Sequence, residues 1–395
     1  MTSPQGIVLT PEERLARRRL ILRDTASLLT LFLITVVIFT LTWLLHRSFV
    51  NHEQTLGERW KARGEAALAA GRPAEAVEAL RSALAYVPNR ETEIELATAL
   101  EDAGRTTEAV AYFNTLRDSA PGDGYINLQL ARLAAKQGHE QAALLDYAAA
   151  LDGTWQGNGY DRRRAVRLEM AQYLLARHHP NQAQTQLLIA ASNAPAEPAV
   201  QLPIAVLLEQ AQDPQDALKI YRHMAAEREA PADAAEGAGR VAYQLGQYRM
   251  AADYLARALA GPQANSLPAD RKAADRNMLA TAQQVLAVFP SLDLRPYARA
   301  ERILAARTTA RNRLTSCSAA NPGAPTQLAS LLSRWDQLPK RMTARDLEQD
   351  PDEEQTVLQL TYDTETQTAH VCGAPSGEDA VLLRIAQNPS AVEQE

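Results

Sequence analysis

Residues 124–150 read GYINLQLARLAAKQGHEQAALLDYAAA. Two short runs flank Gly138. Ala131 and Ala134 lie on one side of it, and Ala143, Tyr147 and Ala150 on the other, at the three- and four-residue intervals of a helix face. Gly138 falls where a first helix should stop in a left-handed cap. The pattern predicts two helices packed back to back. They touch at residues no larger than alanine, because a longer side chain would push the backbones apart. A pair this short cannot bury its apolar face alone and needs neighbours.

The neighbours are present. The same phrase starts at Gly57, Arg90, Gly124, Arg164, Pro198 and Ala232, so the starts are 33, 34, 40, 34 and 34 residues apart. Gly64, Ala97, Ala131, Ala171, Ala205 and Gly239 hold the small crossing position. Gly71, Gly104, Gly138 and Gly246 mark the turn, while the fourth copy has His178-His179 there. Adjacent histidines in a turn point apart, with no third ligand nearby, so we read a polar turn and no metal site. Ala76, Ala109, Ala143, Ala183, Ala217 and Ala251 make the close contact of the second helix. Leu80, Phe113, Tyr147, Leu187, Tyr221 and Leu255 fill the gap to the next pair, and Pro88, Pro121 and Pro195 stop it. Over residues 57–264 the chain resembles the tetratricopeptide repeat, whose period is 34 residues.

That resemblance implies a right-handed α-solenoid whose first helices line a concave groove for protein partners. Carried over position by position, the groove takes Lys61 and Glu65 from repeat one, and Ile94 and Glu101 from repeat two. Tyr125, Leu128, Arg132 and Lys136 come from repeat three, Leu168 and Gln172 from repeat four, and Leu202 and Glu209 from repeat five. Repeat six adds Glu236, Arg240 and Tyr243. Tyr125, Arg132 and Lys136 together would suit an acidic or extended peptide segment. The Lys and Asn pattern of the chaperone-adaptor subfamily is missing, since the corresponding positions hold Lys61 and Glu65, Ile94 and Thr98, Leu128 and Arg132. Six extra residues precede repeat four, within 152–163. They present Trp155, Tyr160 and Arg162 as a second contact surface, or leave Trp155 covering the end of repeat three.

Upstream, Thr25–Leu45 is TASLLTLFLITVVIFTLTWLL, 21 residues without a charge. At about 1.5 Å per residue it just spans a hydrocarbon core of roughly 30 Å. It is apolar all round, unlike a buried core helix, and no small-residue cleavage site follows it, unlike a signal peptide. Arg14, Arg17, Arg18, Arg19 and Arg23 precede the segment and only Arg47 follows closely. The positive-inside rule then predicts a single-pass inner-membrane protein, with residues 1–24 cytoplasmic and the rest periplasmic. Residues 46–56 are a linker or a continuation of the helix. Cys317 and Cys372 are the two cysteines of the chain, and an oxidising compartment would let them pair.

The tail, beyond residue 264, predicts a degenerate seventh pair over 265–316 and a helical cap over 317–395. Its helices run over Pro268–Phe289, Pro296–Ser316 and Gln327–Leu338, with a break at Asn321-Pro322-Gly323. Asp350-Pro351-Asp352-Glu353 starts another helix, in which Val357, Leu360, Thr361, Thr364, Thr368 and Val371 share a face. A hairpin is the rival there, because Leu358, Leu360 and Tyr362 alternate. A last short helix follows from Ser376.

Composition narrows the function classes. With 46% hydrophobic and 22% charged residues the chain is not a disordered tail. A net charge of −6 argues against nucleic-acid binding. No phosphate loop, nucleophile elbow, HExxH or CxxC motif occurs, so no catalytic residue, metal, cofactor or small-molecule substrate is expected. The function expected is a membrane-anchored scaffold for protein partners in envelope assembly, translocation or secretion. The alternative is a permanent accessory subunit of a large membrane complex, and an enzyme with an unrecognised site in the cap ranks below both.

Overall fold

A computed structural model describes residues 11–227, 229–321 and 326–389. Residues 1–10 of the basic N-terminus, and Pro322 and Gly323 of the expected break, lie outside the described residues. The fold is all-α, with helical hairpins following one another as in a solenoid, and no strand occurs among the described residues. The chain divides into two compact units, residues 1–159 and 160–395.

In the first unit, helix α1 (Pro11–Ala69) is continuous for 59 residues. It includes a stretch long and apolar enough to cross a membrane, none of which is buried by the protein. Phe32 and Phe39 are 67% and 71% exposed. That excludes a core helix, because nothing among the described residues covers the stretch. No linker separates the stretch from the repeats, because residues 46–56 continue the helix and its last turns are the first helix of repeat one. Its partner is α2 (Pro73–Tyr86), followed by the pairs α3 (Arg90–Asp102) with α4 (Thr106–Ser119) and α5 (Gly124–Lys136) with α6 (Glu140–Asp152). Ala76, Leu80, Ala97, Leu100, Ala109 and Phe113 are wholly buried in the core between them.

The second unit continues the pattern with α7 (Gly159–Ala176) and α8 (Pro180–Ser192), α9 (Pro198–Gln210) and α10 (Pro214–Ala226), and α11 (Ala232–Gln244) and α12 (Tyr248–Ala260). A seventh pair, α13 (Ala269–Val288) and α14 (Pro296–Ala320), is longer. Arg302 on α14 donates to the carbonyls of Leu286 and Phe289 at 2.9 and 2.6 Å, satisfying the end of α13.

Each repeat's first helix ends in the same hydrogen-bonded motif. The N–H groups of Arg72, Arg105, His139, His179, Asp213 and Gln247 reach back five residues, to the carbonyls of Ala67, Leu100, Ala134, Leu174, Leu208 and Ala242. The preceding residue must then be left-handed. Gly71, Gly104, Gly138 and Gly246 supply it, but in repeats four and five His178 and Gln212 adopt it, at φ 62° and 61°. The crossing positions are as tight as their small residues require. A Cβ added to Gly64 would come within 2.7 Å of the Leu80 side chain, and one on Gly239 within 2.8 Å of the Leu255 backbone nitrogen.

The cap comprises α15 (Thr326–Gln337), a short α16 (Ala344–Gln349) that sequence periodicity does not reveal, α17 (Pro351–Cys372) and α18 (Gly377–Gln387). Asp350 caps α17, accepting from the N–H groups of Asp352 and Glu353 at 3.2 and 3.0 Å. Helix prevails over hairpin because the buried threonines satisfy themselves within it. The hydroxyls of Thr361 and Thr364 donate to the carbonyls of Val357 and Leu360 at 2.8 and 2.7 Å. Trp335 is buried and donates to the Thr364 hydroxyl at 2.9 Å, joining α15 to α17.

Candidate protein-binding face of the repeats

In the first unit, Lys61, Glu101 and Lys136 of the expected groove are paired across successive first helices. Lys61 donates to Glu91 at 2.8 Å and lies 3.3 Å from Glu95 and 3.7 Å from Glu65. The bond to Glu91 raises the Lys61 pKa, whereas burial raises that of Glu95 against the pull of Lys61. Glu101 on α3 accepts from Lys136 on α5. Ile94 packs against the hydrophobic core, and Leu128 is buried. Leu128 is therefore turned inward, whereas Ile94 is only partly buried. What remains open is centred on α5. Tyr125 is 37% exposed, Lys136 keeps 65% of its side chain in solvent while paired, and Arg132 donates to Gln129 at 3.3 Å.

In the second unit the same helices carry a denser network. Glu209 on α9 accepts from the Tyr221 hydroxyl at 2.7 Å and takes both guanidinium arms of Arg240 on α11. Burial first, then the bond to Glu209, raises the Tyr221 pKa. Glu236 lies buried between Arg240 at 3.6 Å and Arg271 of α13 at 2.5 Å, and Arg271 also reaches Asp233 at 2.9 Å. Glu236 is therefore a strut between α11 and α13, unavailable to a partner. Asp275, one turn beyond Arg271, is buried with one oxygen lacking a donor. Burial and the neighbouring Glu236 push its carboxyl up to about 6. Leu168 and Leu202 are half-buried, Gln172 is exposed, and Tyr243 accepts from Arg384 of α18 at 2.8 Å.

The segment after α6 is shorter as a loop than its sequence implies. Trp155 is taken up in packing. Its indole lies against Gly124, where an added Cβ would come within 2.4 Å of the ring, and its N–H donates to the Ala150 carbonyl at 2.9 Å. Thr154 is stitched to the α4–α5 turn: its N–H donates to Gly122 at 2.7 Å and its carbonyl accepts from Gly124 at 2.9 Å. Trp155 thus closes the end of repeat three instead of presenting a contact. Tyr160 and Arg162 stand on the first turn of α7, both exposed, with Tyr160 at 76%.

Cys317 and Cys372 are joined in a disulfide between the end of α14 and the end of α17, with a Cα–Cα distance of 5.9 Å. Among the described residues, no three His, Cys, Asp or Glu side chains converge as metal ligands would.

Comparison with known families agrees with this geometry. The tetratricopeptide repeat profile matches residues 61–124, 94–158 and 168–234. Residues 61–158 and 168–234 carry tetratricopeptide repeats. Such repeats support a general role in protein–protein interaction. Among solved structures, PilF of Pseudomonas aeruginosa is 17% identical, covering 57% of this chain and 99% of its own, with a TM-score of 0.38. A tetratricopeptide repeat protein from Parabacteroides merdae is 16% identical over 58% of this chain and 99% of its own, at a TM-score of 0.26. The TPR2AB domain of yeast Sti1, solved in a pHSP90 complex, is 14% identical over 58% and 99%, at a TM-score of 0.25. No curated protein matches the chain significantly.

Two features were missed by the sequence reading. Glu365 follows Thr361 by four residues and precedes Thr368 by three, so α17 periodicity could have flagged it as buried. The approach of α18 to Tyr243 has no local signal.

Proposed function

We propose that this protein is a non-catalytic scaffold, held to a membrane by α1, whose repeats bind protein segments close to the bilayer. The observation that carries the reading is the continuity of α1. Eleven residues separate the end of the apolar stretch at residue 45 from the start of repeat one at residue 57. As helix they span about 16 Å, so the first repeat is held near the membrane surface. A partner suited to that position is the membrane-proximal segment of another membrane protein. The arginine-rich flank before Thr25 supports a cytoplasmic N-terminus and repeats on the other side. The Cys317–Cys372 pair fits the oxidising compartment found there. Tyr125, Arg132 and Lys136 offer an aromatic and cationic surface for an extended acidic segment, and Lys136 would exchange Glu101 for it.

Photocrosslinking in native membranes tests this. A crosslinker at Tyr125 should capture a discrete membrane partner, and one at Leu145, exposed on α6, should not. Replacing Arg132 and Lys136 by Ala should reduce capture at least fivefold. Equal capture from Leu145, or capture from Tyr160 and Arg162 alone, would overturn the groove reading. A fixed stoichiometric set of partners surviving detergent extraction would favour the accessory-subunit alternative.

A further inference from the structure

Helix α18 hangs from a hinge. Its connection to α17 is bracketed by Gly373 and Gly377, at φ 85° and 63°, and a side chain at either would meet nothing within 4 Å. Immediately before the hinge, Cys372 is fixed to α14 by the disulfide. Beyond it, α18 lays Leu382 and Ile385 inward and packs on α17, α13 and α14. Its far end reaches repeat six. Arg384 donates to the Tyr243 hydroxyl at 2.8 Å with its guanidinium 5.5 Å above the ring, and Asn388 donates to the Leu245 carbonyl at 3.2 Å.

Under the first turn of α18 lie two carboxyl groups. Glu365 of α17 is 0% exposed and neither oxygen has a hydrogen-bond donor. Asp379 of α18 stands within hydrogen-bonding reach of it, with its own Oδ1 buried and without a donor. Among the described residues, the cation at the pair is Arg313 of α14, whose Nε lies 3.7 Å from Glu365. That guanidinium is already committed to the Thr368 hydroxyl and the Gly373 carbonyl, both at 2.9 Å. Glu378 of α18 adds a further negative charge beside Asp379 while accepting from Thr309 at 3.3 Å. Two carboxylates facing each other, Glu365 buried and Asp379 half-buried, repel unless one carries a proton, which then bridges them.

We propose that α18 is an acid-closed strap over repeat six: it lies shut while Glu365 and Asp379 share a proton, and swings on Gly373 and Gly377 when that proton leaves. Asp379 is in the first turn of α18, where the helix dipole favours its anion, so the proton rests on Glu365. Burial, then the charge of Asp379, pushes the Glu365 carboxyl up to about 8. Opening exposes it to water and lowers it toward the ordinary value of 4.5. The raised value belongs to the closed state, so closure is favoured most below pH 4.5 and loses that advantage as pH rises to about 8. Across this window the closed-to-open ratio falls by up to about tenfold per pH unit. The proton has a path out, since Asp379, Arg313 and Glu378 line an open pocket of about 780 Å³ beside the disulfide. Opening would uncover Tyr243 and the adjoining surface of α13.

Hydrogen exchange on the full chain in detergent, corrected at each pH for intrinsic exchange, tests the strap. From pH 5.5 to 8.5, α18 amides should lose about tenfold or more protection relative to α9 and α10. Glu365→Gln should hold its pH 5.5 protection at pH 8.5. Arg384→Ala should lower protection at every pH and keep the slope, which separates the grip from the proton. A flat wild-type profile, or an unchanged slope in Glu365→Gln, would refute the proposal. If Glu365→Gln unfolds α17, which its own amides would report, Asp379→Asn decides: a flattened slope supports the strap and an unchanged one refutes it.

Discussion

His178 and Gln212 occupy left-handed backbone positions that glycine fills in four of the six repeats. A side chain there crowds its own carbonyl, at a cost of about 1 kcal/mol. The hydrogen bonds they complete, from His179 to Leu174 and from Asp213 to Leu208, are the same as in the glycine repeats, so the cap geometry does not depend on the side chain. His178→Gly and Gln212→Gly should each raise stability by about 0.5–1 kcal/mol, read as a higher urea midpoint. Gly104→Ala should lower it by about 1 kcal/mol. Gly122→Ala, in open space without positive φ, should leave it within about 0.5 kcal/mol.

At the scale of elements, the first helices of repeats five to seven are laced by charge. Glu209, Arg240, Glu236, Arg271 and Asp275 run from α9 through α11 to α13. Asp275 is the weak point of this ladder, because burial disfavours its charge and the neighbouring Glu236 repels it. Its folded value of about 6 lies above the ordinary 3.8. The raised value means the folded state favours the neutral acid, so this stabilisation is complete below pH 3.8 and is lost as pH rises through 6. Asp275→Asn should reduce the fall in stability between pH 4 and 6 and raise stability at pH 7.5 by about 1–3 kcal/mol. Thermal melts across pH would show it, with the slope expected of Glu365 between pH 4.5 and 8 still present. An Asp275→Asn protein less stable at pH 7.5 would contradict the assignment.

At the scale of the molecule, the two ends of the chain are restrained differently. Toward the N-terminus, the continuous helix α1 leads without a joint into repeat one. The C-terminal end is closed by a covalent link across 55 residues of sequence, between helices that also share a hydrophobic cluster with Leu314, Trp335 and Leu360. Replacing Cys317 and Cys372 by Ser removes that constraint on the unfolded cap and should cost about 2–4 kcal/mol. Exchange protection of α15 to α18 should fall accordingly, while α3 and α4 in the other unit keep theirs. Uniform loss across both units would show that the link does more than hold the cap.

What the sequence by itself determined is whatever acts within a turn or two of backbone. The 34-residue period, the small residues at helix crossings, the stop of each first helix, the proline and aspartate caps and the apolar stretch from Thr25 to Leu45 are all of this kind. Each depends on groups a few residues apart, and α17 shows it well: Asp350 and Pro351 start a helix whose threonines bond to their own carbonyls. The tertiary structure alone decided which expected groove residues are consumed by one another. Arg240 meets Glu209 across 31 residues, Arg271 meets Glu236 across 35, and Lys136 meets Glu101 across 35. The register between successive first helices sets these pairings, and that register comes from packing of the second helices between them. It likewise turned Trp155 inward onto Gly124, and brought Asp379 onto Glu365 and Arg384 onto Tyr243. Those meetings link residues up to 141 apart, and helical periodicity carries no information about a contact made after a hinge.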